Sequence, residues 1–221
     1  MHGVRSLVMG VAVLLGVNAA DMRGAGAAEG TAAQAPAPET PAADVGERLA
    51  FPMPAGWKPV NRVSDADGTV VFAEFVPEAE SHDRWSEMIT LIVDPGEQFE
   101  PGAYAREMTR SLGQNCASTE VRRHQADRPL PYPHFTGEII CIGSIHRKTA
   151  QADIRNFEVL VFQAIQGADA FYMIQRAWHA DQVLPDFRDS AKYREMLDFA
   201  EAIFLCDDRR PDRSCAAEGG R

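Results

Sequence analysis

The sequence predicts an α+β domain, with helices packed on a mostly antiparallel sheet. Three observations favour this class. Apolar runs such as 70–76, 85–93 and 156–165 have the length and the β-branched and aromatic content of strands. Connections of hairpin length join most of these runs, which favours antiparallel pairing. Two segments, 101–116 and 186–206, instead repeat apolar residues at helical spacing.

The first part of the chain is expected to lie outside this domain. Residues 6–20 form an apolar run behind Arg5, and small residues suited to cleavage follow it, so residues 1–27 are predicted to be a signal peptide. The run is shorter than the about 20 apolar residues of a membrane span, although an uncleaved anchor is the alternative. Residues 28–44 are rich in Ala, Pro and Thr, which predicts a disordered linker.

A single domain is expected over residues 45–215, with a flexible tail at 216–221. A domain of this size buries close to 70% of its unfolded surface, so a monomer is plausible. The net charge of −10 disfavours binding to nucleic acid and to anionic lipid. Arginine outnumbers lysine and alanine is abundant, which is typical of GC-rich bacterial genomes. Together with the leader, this predicts a soluble periplasmic protein, with secretion as the alternative.

The first strands of the domain are predicted from their apolar content and from turn residues. A short strand at 49–51 is confined to an edge or an end of a sheet by Pro52 and Pro54. The turn cluster at 64–68 then delivers the chain into the strand 70–76. Because this strand and 85–93 are apolar on both sides, we expect them at the centre of a sheet that is covered on both faces.

The next elements follow from helical spacing and from polarity. Pro101 suits the first position of a helix, and Tyr104, Met108 and Leu112 form an apolar stripe that faces the sheet. A polar strand at 118–125 is expected at a sheet edge, where Arg122 and Arg123 oppose unwanted pairing. The remaining predicted elements are a strand at 135–145, a hairpin of 156–165 and 170–178, and a helix at 186–206.

The chain has four cysteines, Cys116, Cys141, Cys206 and Cys215. In an exported protein an even number favours two disulfides, and three pairings are open. We favour Cys116–Cys141 and Cys206–Cys215 because both pairs are local, and because the stripe of the first helix continues to Cys116. Metal binding and redox activity are disfavoured, since no closely spaced Cys pair or Cys/His pattern is present.

Residues 51–57, FPMPAGW, are similar to the F-x-x-P-x-G-W opening of the Mog1/PsbP-like proteins, which include the DcrB-like group. The strands at 70–76 and 85–93, the helix at 101–115, the hairpin that turns at Gly167 and the terminal helix continue this resemblance over most of 47–206. The resemblance implies an α/β/α sandwich. It implies no catalytic residues, because that fold has no fixed set of them.

The sequence contains no nucleotide-binding loop, nucleophile elbow or zinc-protease motif, and we predict no metal or cofactor. The one candidate polar site consists of Glu74, Glu87 and Arg176. The two acids lie inside apolar strands, and if those strands are neighbours the carboxyl groups could act as an acid and a base. The alternative is a solvated patch, or an ion pair with an arginine such as Arg176.

Two functions remain from this reasoning. The favoured one is a non-catalytic binding or accessory module for a protein or cell-envelope component, since no catalytic constellation is visible. The alternative is a periplasmic hydrolase that uses the carboxylate pair.

Overall fold

A computed structural model describes residues 46–66, 68–125, 130–143, 157–180, 182, 185–210 and 215. The predicted signal peptide, linker and tail at 1–27, 28–44 and 216–221 lie outside the described residues. The strands are β1 Glu47–Ala50, β2 Trp57–Ser64, β3 Val70–Pro77, β4 Glu87–Pro95, β5 Ser118–His124, β6 His134–Ile142, β7 Phe157–Gln166, β8 Ala170–Ala180 and β9 Phe204–Asp207. The helices are α1 Pro101–Gly113 and α2 Ala191–Glu201, and a 3-10 turn at Phe187–Asp189 precedes α2.

Seven strands form one sheet in the order β2-β3-β4-β8-β7-β6-β5, and β1 pairs with β9 in a second, two-stranded sheet. All of these pairs are antiparallel, which confirms the predicted α+β class. The central strand of the large sheet is β8, and not the two strands predicted at the centre: β4 lies next to β8, and β3 is two strands away from it. The physical reason is that the hairpin β7–β8 is apolar along almost its whole length and buries both of its faces.

The two helices cover opposite faces of the large sheet, as an α/β/α sandwich requires. Tyr193 and Met196 of α2 lie in one apolar cluster with Val159 and Val161 of β7. Ala164, which points the other way on β7, belongs to a second cluster that includes Tyr104 of α1. We call these two sides the α2 face and the α1 face.

Helix α1 begins where the sequence predicts. The carboxylate of Glu100 accepts hydrogen bonds from the backbone N–H groups of Gly102, at 2.9 Å, and Ala103, at 2.5 Å, and these bonds lower the pKa of Glu100. Pro101 follows directly in the first turn. The buried stripe of Ala105, Met108 and Leu112 then packs on the sheet.

The last predicted helix is shorter than expected. Helix α2 starts after Ser190, whose side-chain oxygen accepts the N–H of Tyr193, and it ends at Glu201. The segment Phe204–Asp207 is strand β9 because β1 offers it a partner along its whole length. Strand β2 was not predicted, since most of its residues are exposed and it carries little apolar alternation.

Candidate functional site

Glu74 and Glu87 lie on opposite faces of the large sheet. In the pairing of β3 with β4, Glu74 is opposite Thr90, while Phe75 is opposite Ile89. Glu87 lies two residues before Ile89, so it shares the α2 face with that residue, whereas Thr90 and Glu74 share the α1 face. The carboxylate pair that a hydrolase would need is therefore not formed, although the two strands are neighbours.

Glu87 instead lies in an ion-pair cluster with Arg176 on the α2 face. Arg176 is only 3% exposed, and its Nη2 donates to Glu87 Oε2 at 2.7 Å and to Glu195 Oε1 at 2.7 Å. Lys192 Nζ donates to the other oxygen of Glu87 at 2.5 Å. The guanidinium carbon of Arg176 also lies 5.5 Å from the ring centre of Trp57. Both carboxylate oxygens of Glu87 thus have charged partners, so this cluster joins α2 to β4 and β8 rather than presenting a free base.

Glu74 is buried on the α1 face, where it contacts Asn61 and His82. Its Oε2 accepts a hydrogen bond from Asn61 Nδ2 at 3.3 Å and lies 3.3 Å from His82 Nε2. Burial raises the pKa of Glu74, and the two neighbours act against that rise. Glu74 is 1% exposed, while the side chain of His82 is about half exposed, so the histidine lies between Glu74 and solvent.

Glu138 of β6 is another buried acid, and it was not among the predicted site residues. Its Oε1 accepts from Arg188 Nη2 at 2.7 Å, and its Oε2 accepts from the hydroxyl of Tyr193 and lies 3.2 Å from His124 Nε2. Burial alone raises the pKa of Glu138, but the hydrogen bonds from His124, Tyr193 and Arg188 outweigh burial and lower it to about 2. Glu138 is therefore a fixed negative charge that ties α2 and the turn before it to β6.

Glu158 of β7 is also a buried acid, and its environment is the opposite of that of Glu138. It is 4% exposed and lies on the α1 face, between Cys141 of β6 and His179 of β8 in the strand pairing. Among the described residues, no group hydrogen-bonds to its Oε1. Desolvation raises the pKa of Glu158 to about 7. Both Glu138 and Glu158 lie inside the predicted strands 135–145 and 156–165, so an acid in an apolar strand was the signal that could have found them.

The four cysteines pair as Cys116–Cys141 and Cys206–Cys215, the local pairing that the sequence favours. The S–S distances are 2.03 Å and 2.02 Å, with Cα–Cα separations of 5.4 Å and 5.0 Å. The first bond ties the chain just beyond α1 to β6, and the second ties β9 to the chain that follows it. The described residues contain no group of three or more His, Cys, Asp or Glu side chains placed to hold a metal ion. In the part of the chain that the structure describes, no helix has both the length and the apolar character to cross a membrane.

The two edge strands of the large sheet differ in regularity. Strand β2 carries Pro59, and its pairing with β3 is interrupted by two register shifts. Strand β5 has no proline, and each of its seven residues pairs in register with β6. Within the described ranges no strand pairs with the outer side of β5. Val121, near the middle of β5, is 41% exposed.

Comparison with known proteins gives matches among solved structures alone. No protein-family model and no curated protein matches the chain. A structure of a point mutant of Mog1 is similar to it, with 12% identity over 77% of this chain and 93% of that one, at a TM-score of 0.44. The Ran-binding protein Mog1p of Saccharomyces cerevisiae has 12% identity over 70% of this chain and 88% of that one, at a TM-score of 0.42. Both belong to the Mog1 group that residues 51–57 resemble.

Proposed function

We propose that this chain is a non-catalytic periplasmic module that binds an extended segment of a partner protein along the outer edge of β5. The observation that carries the proposal is the regular, exposed edge of this strand, with which no other strand of the described residues pairs. An edge strand presents a row of free N–H and C=O groups, and an incoming peptide can pair with them as an added strand.

The contrast with β2 supports the choice of edge. Pro59 removes a backbone donor, and the two register shifts of β2 bend that edge, which are common ways to prevent strand addition. Strand β5 carries neither device, and its outward side is exposed along most of its length. Only the arginines of β5 oppose unwanted strand pairing at this edge. The same arginines can favour a partner of opposite charge.

The side chains of β5 indicate the chemistry of the partner. Val121 and Arg123 lie on the α1 face, where the Arg123 guanidinium is 5.4 Å from the ring centre of Phe135. Arg122 lies on the α2 face and donates to Glu120 at 2.8 Å. A partner strand beside β5 therefore meets an apolar side chain and a positive charge on the α1 face, and the Arg122–Glu120 ion pair on the α2 face. We expect an extended segment that combines apolar and acidic residues.

Export to the periplasm is part of the same proposal. The apolar leader supports it, and so do the two disulfides, because such bonds persist in oxidising compartments. The ion-paired state of Glu87 and the fixed charge of Glu138 support a non-catalytic role for the α2 face, since neither group is held as a free acid or base.

Site-specific photocrosslinking tests the edge. A photoreactive benzoylphenylalanine replaces Val121 in one full-length variant and Val63 of β2, which is 47% exposed, in a matched control. In cells of the native host we expect a discrete crosslinked adduct from position 121 and none from position 63. Arg123→Glu in the variant with the probe at 121 should reduce the adduct roughly tenfold, because a partner with acidic residues is repelled.

Equal crosslinking from the two edges, or an adduct that Arg123→Glu leaves unchanged, would count against the proposal. An adduct of twice the mass of the chain would identify self-association instead of a different partner. Urea unfolding of each variant establishes that the fold is intact before the yields are compared.

A further inference from the structure

The Cys116–Cys141 disulfide lies at the end of α1, where one of its two residues is more accessible than the other. Cys141 is 3% exposed on β6, whereas Cys116 is half-buried just beyond the last turn of the helix. Thiol–disulfide exchange requires that a thiolate reach one sulfur while the other sulfur leaves. The difference in residue exposure favours attack on the Cys116 sulfur and release of the Cys141 sulfur.

Glu158 is the direct neighbour of Cys141 across β6 and β7. The two residues are opposed in the strand pairing, and such partners share a face with Cβ atoms about 4.5–5.5 Å apart. Glu158 is buried, and its Oε1 has no hydrogen-bond partner among the described residues. A buried acid without a donor favours its protonated form, and desolvation raises its pKa to about 7. Near neutral pH it can therefore give up or accept a proton.

Within the described part of the chain, few charged groups lie near this acid. His179 is its neighbour on the β8 side, and the ring of His179 lies 5.9 Å from that of Trp85. The disulfide occupies the β6 side and the end of α1. Glu107 and Arg110 of α1 are exposed and paired with each other. His179 is thus the one described side chain beside Glu158 in the strand pairing that can carry a positive charge.

We propose that Cys116–Cys141 is a thiol–disulfide exchange site for a dithiol reductant, and that Glu158 is the proton donor to Cys141. The site is independent of the edge of β5, and the sequence did not indicate it because the acid and the disulfide meet only through the strand pairing. The pairing of β6 with β7 brings the acid to the sulfur.

The exchange balances as a transfer of two electrons and two protons. A thiolate of the dithiol attacks the Cys116 sulfur, the S–S bond breaks, and its electron pair leaves on Cys141, which takes the proton of Glu158. The second thiolate of the reductant then attacks the reductant sulfur that is bonded to Cys116. This step releases the Cys116 sulfur, which is protonated by solvent. The reductant leaves as a disulfide, and solvent returns a proton to Glu158.

The position of α1 supports the same direction of attack. The C-terminal end of a helix carries partial negative charge, which disfavours a thiolate close to it. The Cys116 sulfur lies 3.2 Å from the carbonyl oxygen of Leu112 in the last turn, so it is the poorer leaving group of the two. Cys141 leaves more readily, because the protonated carboxyl beside it removes the developing charge.

Reduction by dithiothreitol tests the proposal in the mature chain, since Cys206–Cys215 provides an internal reference. Reduction is stopped with iodoacetamide at a series of pH values from 6 to 8.5, and mass mapping gives the rate for each disulfide. In the wild type we expect the rate at Cys116–Cys141, relative to Cys206–Cys215, to fall roughly tenfold as Glu158 loses its proton. Glu158→Gln should abolish this pH step, while Glu158→Asp should retain one.

Glu74→Gln is the matched control, because it removes another buried acid of the α1 face that lies several strands from the disulfide. It should keep the wild-type pH profile. A profile that is the same in wild type and Glu158→Gln overturns the proposal, and so does reduction of Cys116–Cys141 that requires urea. Unfolding curves of each variant exclude loss of the fold as the cause of a changed ratio.

Discussion

Glu138 and Glu158 are the same residue type on adjacent strands, and both are almost fully buried, yet their environments act on their charge in opposite ways. Glu138 is 0% exposed and has a pKa lowered to about 2. Glu158 is 4% exposed and has a pKa raised to about 7. The comparison shows that the number of donors around a buried carboxyl, rather than its burial, decides whether it is a fixed charge or a proton carrier.

The difference originates in the number of hydrogen-bond donors that lie near each carboxyl on the two faces. On the α2 face, the turn before α2 and its first turn supply Arg188 and Tyr193 to Glu138, and β5 supplies His124. On the α1 face, the neighbours of Glu158 are a disulfide and a half-buried histidine. One acid therefore stabilises the sandwich, and the other lowers its stability whenever it is charged.

The largest expected effect comes from Glu138→Gln, which removes the charge from the better-paired acid. The pKa of Glu138 is lower when folded than when unfolded, so its stabilisation is complete above the unfolded pKa and is lost as pH falls towards 2. At pH 7 we expect the free energy of unfolding to drop by about 3 kcal/mol, measured by urea denaturation. The loss should shrink when the measurement is repeated near pH 3.

Glu120→Gln is the control for that variant, because Glu120 also contacts Arg188 but is half exposed. It should change the free energy of unfolding by less than about 1 kcal/mol. Similar losses from the two variants would mean that Glu138 is not the centre of the cluster.

The second effect has the opposite sign. The pKa of Glu158 is higher when folded than when unfolded, so the charge destabilises the fold increasingly between about pH 4.5 and 7, and fully above pH 7. Glu158→Gln removes that charge, and we expect the variant to be more stable than wild type by about 2 kcal/mol at pH 8. At pH 4 the two proteins should be equally stable in urea. A variant that is less stable at pH 8 would show that Glu158 has a partner when charged.

The smallest effects concern single donors to Glu138. Tyr193→Phe removes one hydrogen bond to a charged acceptor and should lower the free energy of unfolding by about 1.5 kcal/mol at pH 7. Arg122 lies 3.8 Å from Glu138 and is half exposed, so Arg122→Gln should cost less than about 0.5 kcal/mol. Thermal or urea unfolding of both variants checks this order, and the reverse order would show that long-range charge matters more than the direct bond.

Much of the fold was predictable because its signals are local. The apolar stripe of Met108 and Leu112 predicted α1, and the polar turn after Ile165 predicted the β7–β8 hairpin. Strand β9 was mistaken for helix because Ile203 and Phe204 suit either period, and β1, the partner that decides between them, is far away along the chain. The exposed β2 escaped prediction since it has little apolar alternation.

The candidate sites depend on contacts between residues that are distant in the sequence. The sequence by itself determined the strand periods, the helix starts and which residues are acids in apolar strands, because these depend on neighbours a few positions apart. Only the tertiary structure decided that Glu74 and Glu87 face opposite ways, since that follows from the register between strands. The tertiary structure also places the three donors to Glu138, which lie 14, 50 and 55 residues away along the chain, around its carboxylate. It places Glu158 beside a disulfide instead. The charge of a buried acid depends on such distant groups, and their arrangement exists only once the sheet and its helices are packed.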